Sequence, residues 1–242
     1  MKKTLLIGTS GWNYPHWRKI FYPEKLSEKK WLEYYSTCFR TVELNNTFYR
    51  TPREKTLDGW FETAPEGFIF SVKASRYITH LKQLKDTEGH VKKFYGLVGR
   101  LGRKLGPVLF QLPSRFKLNE NNRDKLKKFL SSLPPEQENV LEFRDPAWWD
   151  DKVYSLLEEH GAAFCCVSGL GMPPGIIITS DTAYFRFHGK DYSTSYTEEE
   201  LSNFSKKIKR LDARRVYAYF NNDSNAYAVG NALRLKELFG DG

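Results

Sequence analysis

Short apolar stretches rich in β-branched and aromatic residues recur along the chain, each followed by a segment in which apolar and charged positions alternate with helical spacing. That succession is the pattern of parallel β/α units. Eight strands are read from it: Thr4 to Gly8, Thr41 to Asn45, Phe68 to Lys73, Val108 to Gln111, Val140 to Phe143, Ala162 to Val167, Ala183 to Phe187 and Val216 to Phe220. Helices are expected to begin near Ser27, Arg53, Glu88, Glu120, Asp151 and Glu198, with a last one from about Asn225 to Leu238. Thr197 and Glu200 fit a capping box, and Gly161 stops the segment LLEEH. Between strands six and seven, Pro173, Pro174 and Gly175 forbid a helix, so that connection is irregular.

With no repeat, low-complexity tract or composition break, the eight units predict one α/β domain over residues 1–242, a TIM-like (β/α) barrel. The structural alternative, a doubly wound open sheet, would want a Gly-rich phosphate loop after its first strand. The sequence there is SGWNYPHW, crowded with aromatics, and the later GLGMPPG lacks the helix that would receive a pyrophosphate.

Alternation along each strand sorts the polar residues. Side chains two apart point the same way, and barrel sites sit at the C-terminal strand ends. Glu43 and Asn45 therefore share a face, with Thr47 and Tyr49 beyond; Lys73 pairs with Ser75, Glu142 with Arg144, and Arg186 with His188. Gln111 ends its strand. Tyr217, Tyr219 and Asn221 share a face ahead of Asn222 and Asp223, and the first strand leads into Ser10, Trp12 and Tyr14. Seven of the eight strands thus end in groups that ionise or hydrogen-bond, where an interior strand should avoid them unless they are paired or wet. The bland account is a buried structural network, Glu43 with Lys73 and Glu142 with Arg144 or Arg186. Against it, a whole ring of such groups is explained better by a cavity that binds or reacts.

Composition narrows the setting. The 242 residues are 40% hydrophobic and 28% charged, which excludes a disordered chain, and the longest apolar runs are far shorter than a membrane span needs. MKKTLLIGTSGW starts like a secretory signal and then lacks an h-region and cleavage site, so a cytoplasmic protein is expected. Cys38, Cys165 and Cys166 are read as reduced thiols.

Six ordered stretches, GTSGWNYPHWRKIFYP, TVELNNTFYRTP, LGPVLFQLPSRF, LEFRDPAWW, YFRFHG and VYAYFNNDSNAYAVGNA, resemble the motifs of the domain of unknown function 72 (DUF72, YecE-like) family over nearly the whole chain. The resemblance implies a TIM-barrel-like fold in a soluble, mostly bacterial protein and a family with no established reaction. After the sixth strand that family often carries an Asp followed closely by Pro, whereas Ser168 stands here before GLGMPP.

Chemistry is read from the ring. Of five histidines only His188 sits clearly at a strand end, too few for a multi-zinc site, so no cofactor is expected; a carboxylate-held Mg²⁺ on Glu43, Glu142 or Asp223 is left open. A glycosidase pair from Glu43 and Glu142 is disfavoured, because nearby cations would keep both ionised. A Schiff base on Lys73 needs a depressed pKa, which neighbouring carboxylates would oppose.

The reading adopted is a hydrolase or lyase acting by acid-base chemistry on an anionic, phosphorylated or nucleotide-like substrate. Glu43, Glu142, Lys73 and His188 are the candidate catalytic residues, with Ser10, Trp12, Tyr14, Asn45, Tyr49, Gln111, Arg144, Arg186, Asn221, Asn222 and Asp223 binding substrate. The excess of 38 Lys and Arg over 29 Asp and Glu supports a second reading, a non-catalytic nucleic-acid binder. It would use basic helix faces around Lys92 to Lys104, Arg123 to Lys128 and Lys206 to Arg215, with Trp12, Tyr14, Trp17, Trp148 and Trp149 available to stack on bases or to pack the wall.

Overall fold

A computed structural model of the chain describes residues 3–240. Eight strands alternate with helices in the expected order: β1 Thr4–Thr9, α1 Trp31–Cys38, β2 Thr41–Leu44, α2 Asn46–Tyr49, α3 Glu54–Thr63, β3 Ile69–Lys73, α4 Glu88–Val98, β4 Leu105–Gln111, α5 Glu120–Ser131, β5 Asn139–Glu142, α6 Asp151–Glu159, β6 Ala163–Ser168, β7 Thr182–Phe187, α7 Glu198–Lys209, β8 Arg215–Phe220 and α8 Tyr227–Phe239. All ladders are parallel, in the order β1-β8-β7-β6-β5-β4-β3-β2. The cylinder closes between β1 and β2 through a single bridge, Ser10 to Glu43. The open-sheet alternative is thereby excluded.

The seam explains one glycine. A Cβ on Gly8 would lie 2.3 Å from the backbone oxygen of Thr41, so only glycine lets β1 approach β2 this closely. β4 starts three residues ahead of its sequence reading because it takes in Pro107, which cannot donate to a ladder. The register between β3 and β4 shifts there, Phe70 facing Leu105 but Val72 facing Val108.

The alternation read from the sequence divides the core in two. Leu6, Leu109, Val140, Cys165, Tyr184, Tyr217 and Tyr219 fill the barrel, while Phe70, Phe110, Leu141, Phe185, Phe187 and Phe220 on the same strands meet the helices. Thr197 and Glu200 form the capping box of α7, and Gly161, at φ +61°, follows α6. No helix lies between β6 and β7. That connection is instead tied down by Thr179, whose Oγ accepts from the Phe164 amide at 2.9 Å and donates to the Ala162 carbonyl at 2.7 Å. Cys166 Sγ bonds both backbone groups of Ile177. Cys38, Cys165 and Cys166 are all free thiols. No helix among the described residues is long and apolar enough to cross a membrane.

Candidate functional site

The inward positions of β1, β2, β3, β5, β7 and β8 carry their polar side chains to the C-terminal end of the barrel, and one guanidinium organises them. Arg186, 1% exposed, lies between two carboxylates. Its Nη2 donates to Glu43 Oε1 and its Nη1 to Glu142 Oε2, each at 2.7 Å, with Nε reaching Glu43 Oε1 at 3.2 Å. Glu43 Oε1 also accepts from Ser10 Oγ at 2.5 Å, and Oε2 accepts from Tyr184 Oη at 2.7 Å. Arg144 binds the other oxygen of Glu142 and extends to Tyr192 Oη at 3.1 Å. The result is a continuous chain, Glu43–Arg186–Glu142–Arg144, with no net charge.

Electrostatics follow from that chain. Burial alone would raise the Glu142 carboxyl, but Arg144 and Arg186 outweigh it and hold the group well below the carboxylate range. His188 is fully buried, and burial together with Arg186 depresses its pKa, so the ring is neutral at pH 7. Arg144 Nη2 donates to Nε2 at 3.2 Å, which places the ring proton on Nδ1. The Asn221 amide nitrogen Nδ2 faces Nδ1 at 3.2 Å, so only with its amide turned over would Asn221 accept that proton through its oxygen.

Lys73 stands apart. The expected pairing of Glu43 with Lys73 is not formed, because Arg186 takes both carboxylates. Among the described residues Lys73 makes no ion pair, and its Nζ instead sits 4.1 Å from the centre of the Phe48 ring. Burial lowers its pKa from 10.5 to about 7, and Arg186 adds to the shift against the opposing pull of Glu142 and Glu43. The carboxylates do push the lysine toward its charged form, as the sequence reading held, but burial and Arg186 outweigh them. Beyond Phe48 lies His80, its ring 4.9 Å from the phenyl centre, lowered to about 4 by burial and by Lys73, Arg115 and Arg76. This side of the mouth is therefore cationic, and Tyr77–Leu81 form a π turn there, a rare geometry frequent at functional sites.

The remaining candidates distribute unevenly. Asn45 is half-buried beside the ring, with Nδ2 donating to the Ser10 carbonyl at 3.5 Å and its Oδ1 3.5 Å from Arg186. Gln111 is half-buried opposite Glu142 in the register. Tyr14 donates to the Ser10 carbonyl at 2.5 Å, and burial raises its phenol pKa. Tyr49 does not continue β2, since α2 begins at Asn46, and it projects from that turn at 73% exposure.

Trp12 is buried edge-on to Trp60. Trp17 is fully buried, as is Trp148, which is stacked between Phe116 and Phe143. These three indoles are wall packing. Asn222 is fully buried, and its Nδ2 donates away from the ring, to the Thr194 carbonyl and Asn231 Oδ1, both at 2.9 Å.

Asp223 does not cap the helix that follows. It accepts from Trp17 Nε1 at 2.8 Å and stands 3.0 Å from His16, and burial raises it to about 6. The segment leading into α8 is strained, with Asn225 and Ala226 both at positive φ. Sequence reasoning missed Tyr192, which reaches over Arg144 and His188 from a loop with no strand parity to reveal it, and Phe48, hidden in a four-residue helix. Ser168, at the end of β6, accepts from Tyr196 Oη at 2.9 Å.

Among the described residues no group of three or more His, Cys, Asp or Glu is placed to hold a metal ion. A Mg²⁺ bound by Glu43 or Glu142 would have to displace arginine. The basic helix faces are partly neutralised: Arg100 pairs with Glu54 and Asp58, Arg103 with Glu66 and Arg215 with Glu138, and Lys104 is buried against backbone carbonyls.

Known proteins place this architecture in a context. Residues 6–242 match the model of a family described as a protein of unknown function, DUF72. The UPF0759 protein YunF of Bacillus subtilis is 26% identical over 97% of this chain and 94% of its own length. The crystal structure of TM1631, a DUF72 family protein from Thermotoga maritima, superposes with a TM-score of 0.91 at 31% identity, covering 98% of this chain and all of that one. EF0366 of Enterococcus faecalis, at 20% identity, gives a TM-score of 0.83 over the full chain and shares the fold.

Proposed function

The chain belongs to the DUF72 family, and since that membership carries no reaction with it, we propose from the site itself an enzyme that transfers protons on a small anionic substrate at the C-terminal mouth of the barrel. Lys73 carries this reading. A buried amine with no carboxylate partner and a pKa of about 7 is matched to general base and acid work near neutrality.

The two glutamates take a different part from the one their strand-end positions suggested. Held ionised by two guanidiniums, Glu142 has no driving force to accept a proton near pH 7, so it fixes Arg186 and Arg144 instead. Glu43 fixes Arg186 from the opposite side. Because the four-membered chain is neutral, the charge offered to a substrate is that of Lys73, Arg76 and Arg115 along the β3–β4 side. His188, neutral because burial and Arg186 hold its pKa well below the ordinary imidazole value, accepts from Arg144 and takes a positioning part as Glu142 does. Asn45 and Gln111 orient the substrate by their amides, and Tyr49 and Tyr192 rim the opening. Hydrolysis or lyase-type elimination both suit this set. We place the activity in the cytoplasm, where thiols such as Cys165 and Cys166 stay reduced.

Thermal melting tests the anion preference. At constant ionic strength, inorganic phosphate or pyruvate should raise the melting temperature of the wild type, and Lys73→Met should remove most of the rise. A melt that no anion shifts refutes the reading.

A further inference from the structure

We propose that Lys73 is a nucleophile as well as a base, condensing through Nζ with the carbonyl group of a small anionic aldehyde or 2-oxo acid to form an imine. This rests on the anion-binding reading of the mouth and names the reactive group of its substrate.

A lysine attacks a carbonyl only as the free amine, and in proteins that requires an apolar wall or a neighbouring cation with no carboxylate to pair with. All three conditions are met around Lys73. Its Nζ stands 4.1 Å from the centre of the Phe48 ring, an apolar wall that strips water from the amine, although the π face attracts an ammonium and so works against the neutral form. The nearby cation, Arg186, is locked in place by 2.7 Å bonds to Glu43 and Glu142, which are thereby withheld from the lysine. The main chain is fixed too, since Thr47 Oγ donates to the Lys73 carbonyl at 2.6 Å and so ties β3 to the turn that carries Phe48. Burial and Arg186 then leave the amine half neutral near pH 7.

Lys73 is 8% exposed and ends β3 at the mouth side of the barrel. A purely structural role accounts poorly for this residue. An unpaired buried ammonium costs stability, and an apolar side chain of similar volume would pack the same space without that cost.

The step balances without a further reagent. The carbonyl carbon bonds to Nζ, and both amine protons leave with the carbonyl oxygen as one water. The imine nitrogen then takes up one proton and becomes an iminium, an electron sink for bond cleavage or proton loss at the adjacent carbon. Arg115, whose Nη2 donates to the His80 carbonyl at 2.5 Å, and Arg76 supply the cations for the carboxylate or phosphate of the substrate.

Reductive trapping on the wild-type protein reads this directly. Glyoxylate and sodium cyanoborohydride at pH 7, followed by peptide mass spectrometry, should place one carboxymethyl group on Lys73 at least about ten-fold faster than on exposed Lys92 or Lys127. The margin is conservative, because the neutral fraction of an amine titrating near 7 exceeds that of an ordinary lysine by on the order of a thousand-fold. Acetaldehyde, which lacks the anion, should show a smaller preference for Lys73. Labelling of Lys73 no faster than of Lys92 overturns the imine. If phosphate still raises the melting temperature in that case, the proton-transfer reading survives without it. Equal preference with acetaldehyde overturns the anionic substrate class, and a melt that no anion shifts then removes the reading beneath it.

Discussion

Lys73 and Glu142 lie in the same ring and burial penalises the charge of both, yet they act oppositely on stability, because two arginines outweigh burial at Glu142 while burial prevails at Lys73. For Lys73 the folded protein binds its proton less tightly than the unfolded chain does, so the charge opposes folding at neutral pH, and stability from this group rises as pH increases from about 7 toward 10. Lys73→Met, which keeps the volume and loses the charge, should therefore stabilise the protein at pH 7 by roughly 1–3 kcal/mol. The gain should shrink by pH 10, as urea denaturation at the two pH values would show. Glu142 behaves inversely. Its depressed pKa means that its contribution is fully present above the unfolded carboxylate range and is lost on acidification below it. Glu142→Gln leaves Arg144 and Arg186 short of a counter-charge and should destabilise by about 3–5 kcal/mol at neutral pH. The difference from wild type should narrow below pH ~4. A Glu142→Gln protein as stable as wild type would show that the ion pairs are replaceable.

At the level of elements, strand alternation carried most of the site into view. Inward parity placed Ser10, Glu43, Lys73, Glu142, Arg144, Arg186, His188 and Asn221 at one end of the barrel, because period-two geometry is a property of the backbone and survives any error in strand length. Pairing was not legible in the same way. Which cation meets which carboxylate depends on the side-chain reach of Arg186 across the barrel, and that is set by the closed cylinder, not by neighbours in sequence. Tyr49 and Phe48 were misread or missed because α2 replaces the end of β2 within one residue of Asn45.

The helix-free connection between β6 and β7 was anticipated from its prolines, but its anchor was not. Thr179→Val should strand the buried Phe164 amide and the Ala162 carbonyl, costing about 1–3 kcal/mol. The check is chemical denaturation at neutral pH; an unchanged midpoint would mean that the connection is held by apolar packing of Ile176 to Ile178 alone.

For the molecule as a whole, a barrel interior filled with tyrosines supports a polar ring whose charges cancel in one continuous chain and leave one amine over. Tyr184 links Glu43 to Ser71, and Tyr219 meets Thr41 one level below, so the ring rests on a hydrogen-bonded floor and not on a cavity. On the function proposed, that floor would confine a substrate to the rim, where Lys73 ends β3. The central claim is that Lys73 is half deprotonated near neutral pH. Carbon-13 labelling of the lysine ε positions, with the Lys73 resonance assigned by its loss in Lys73→Met, follows that proton directly. A midpoint near pH 7 is expected for Lys73, among lysines that titrate near 10. A Lys73 resonance that titrates with the surface lysines would contradict it.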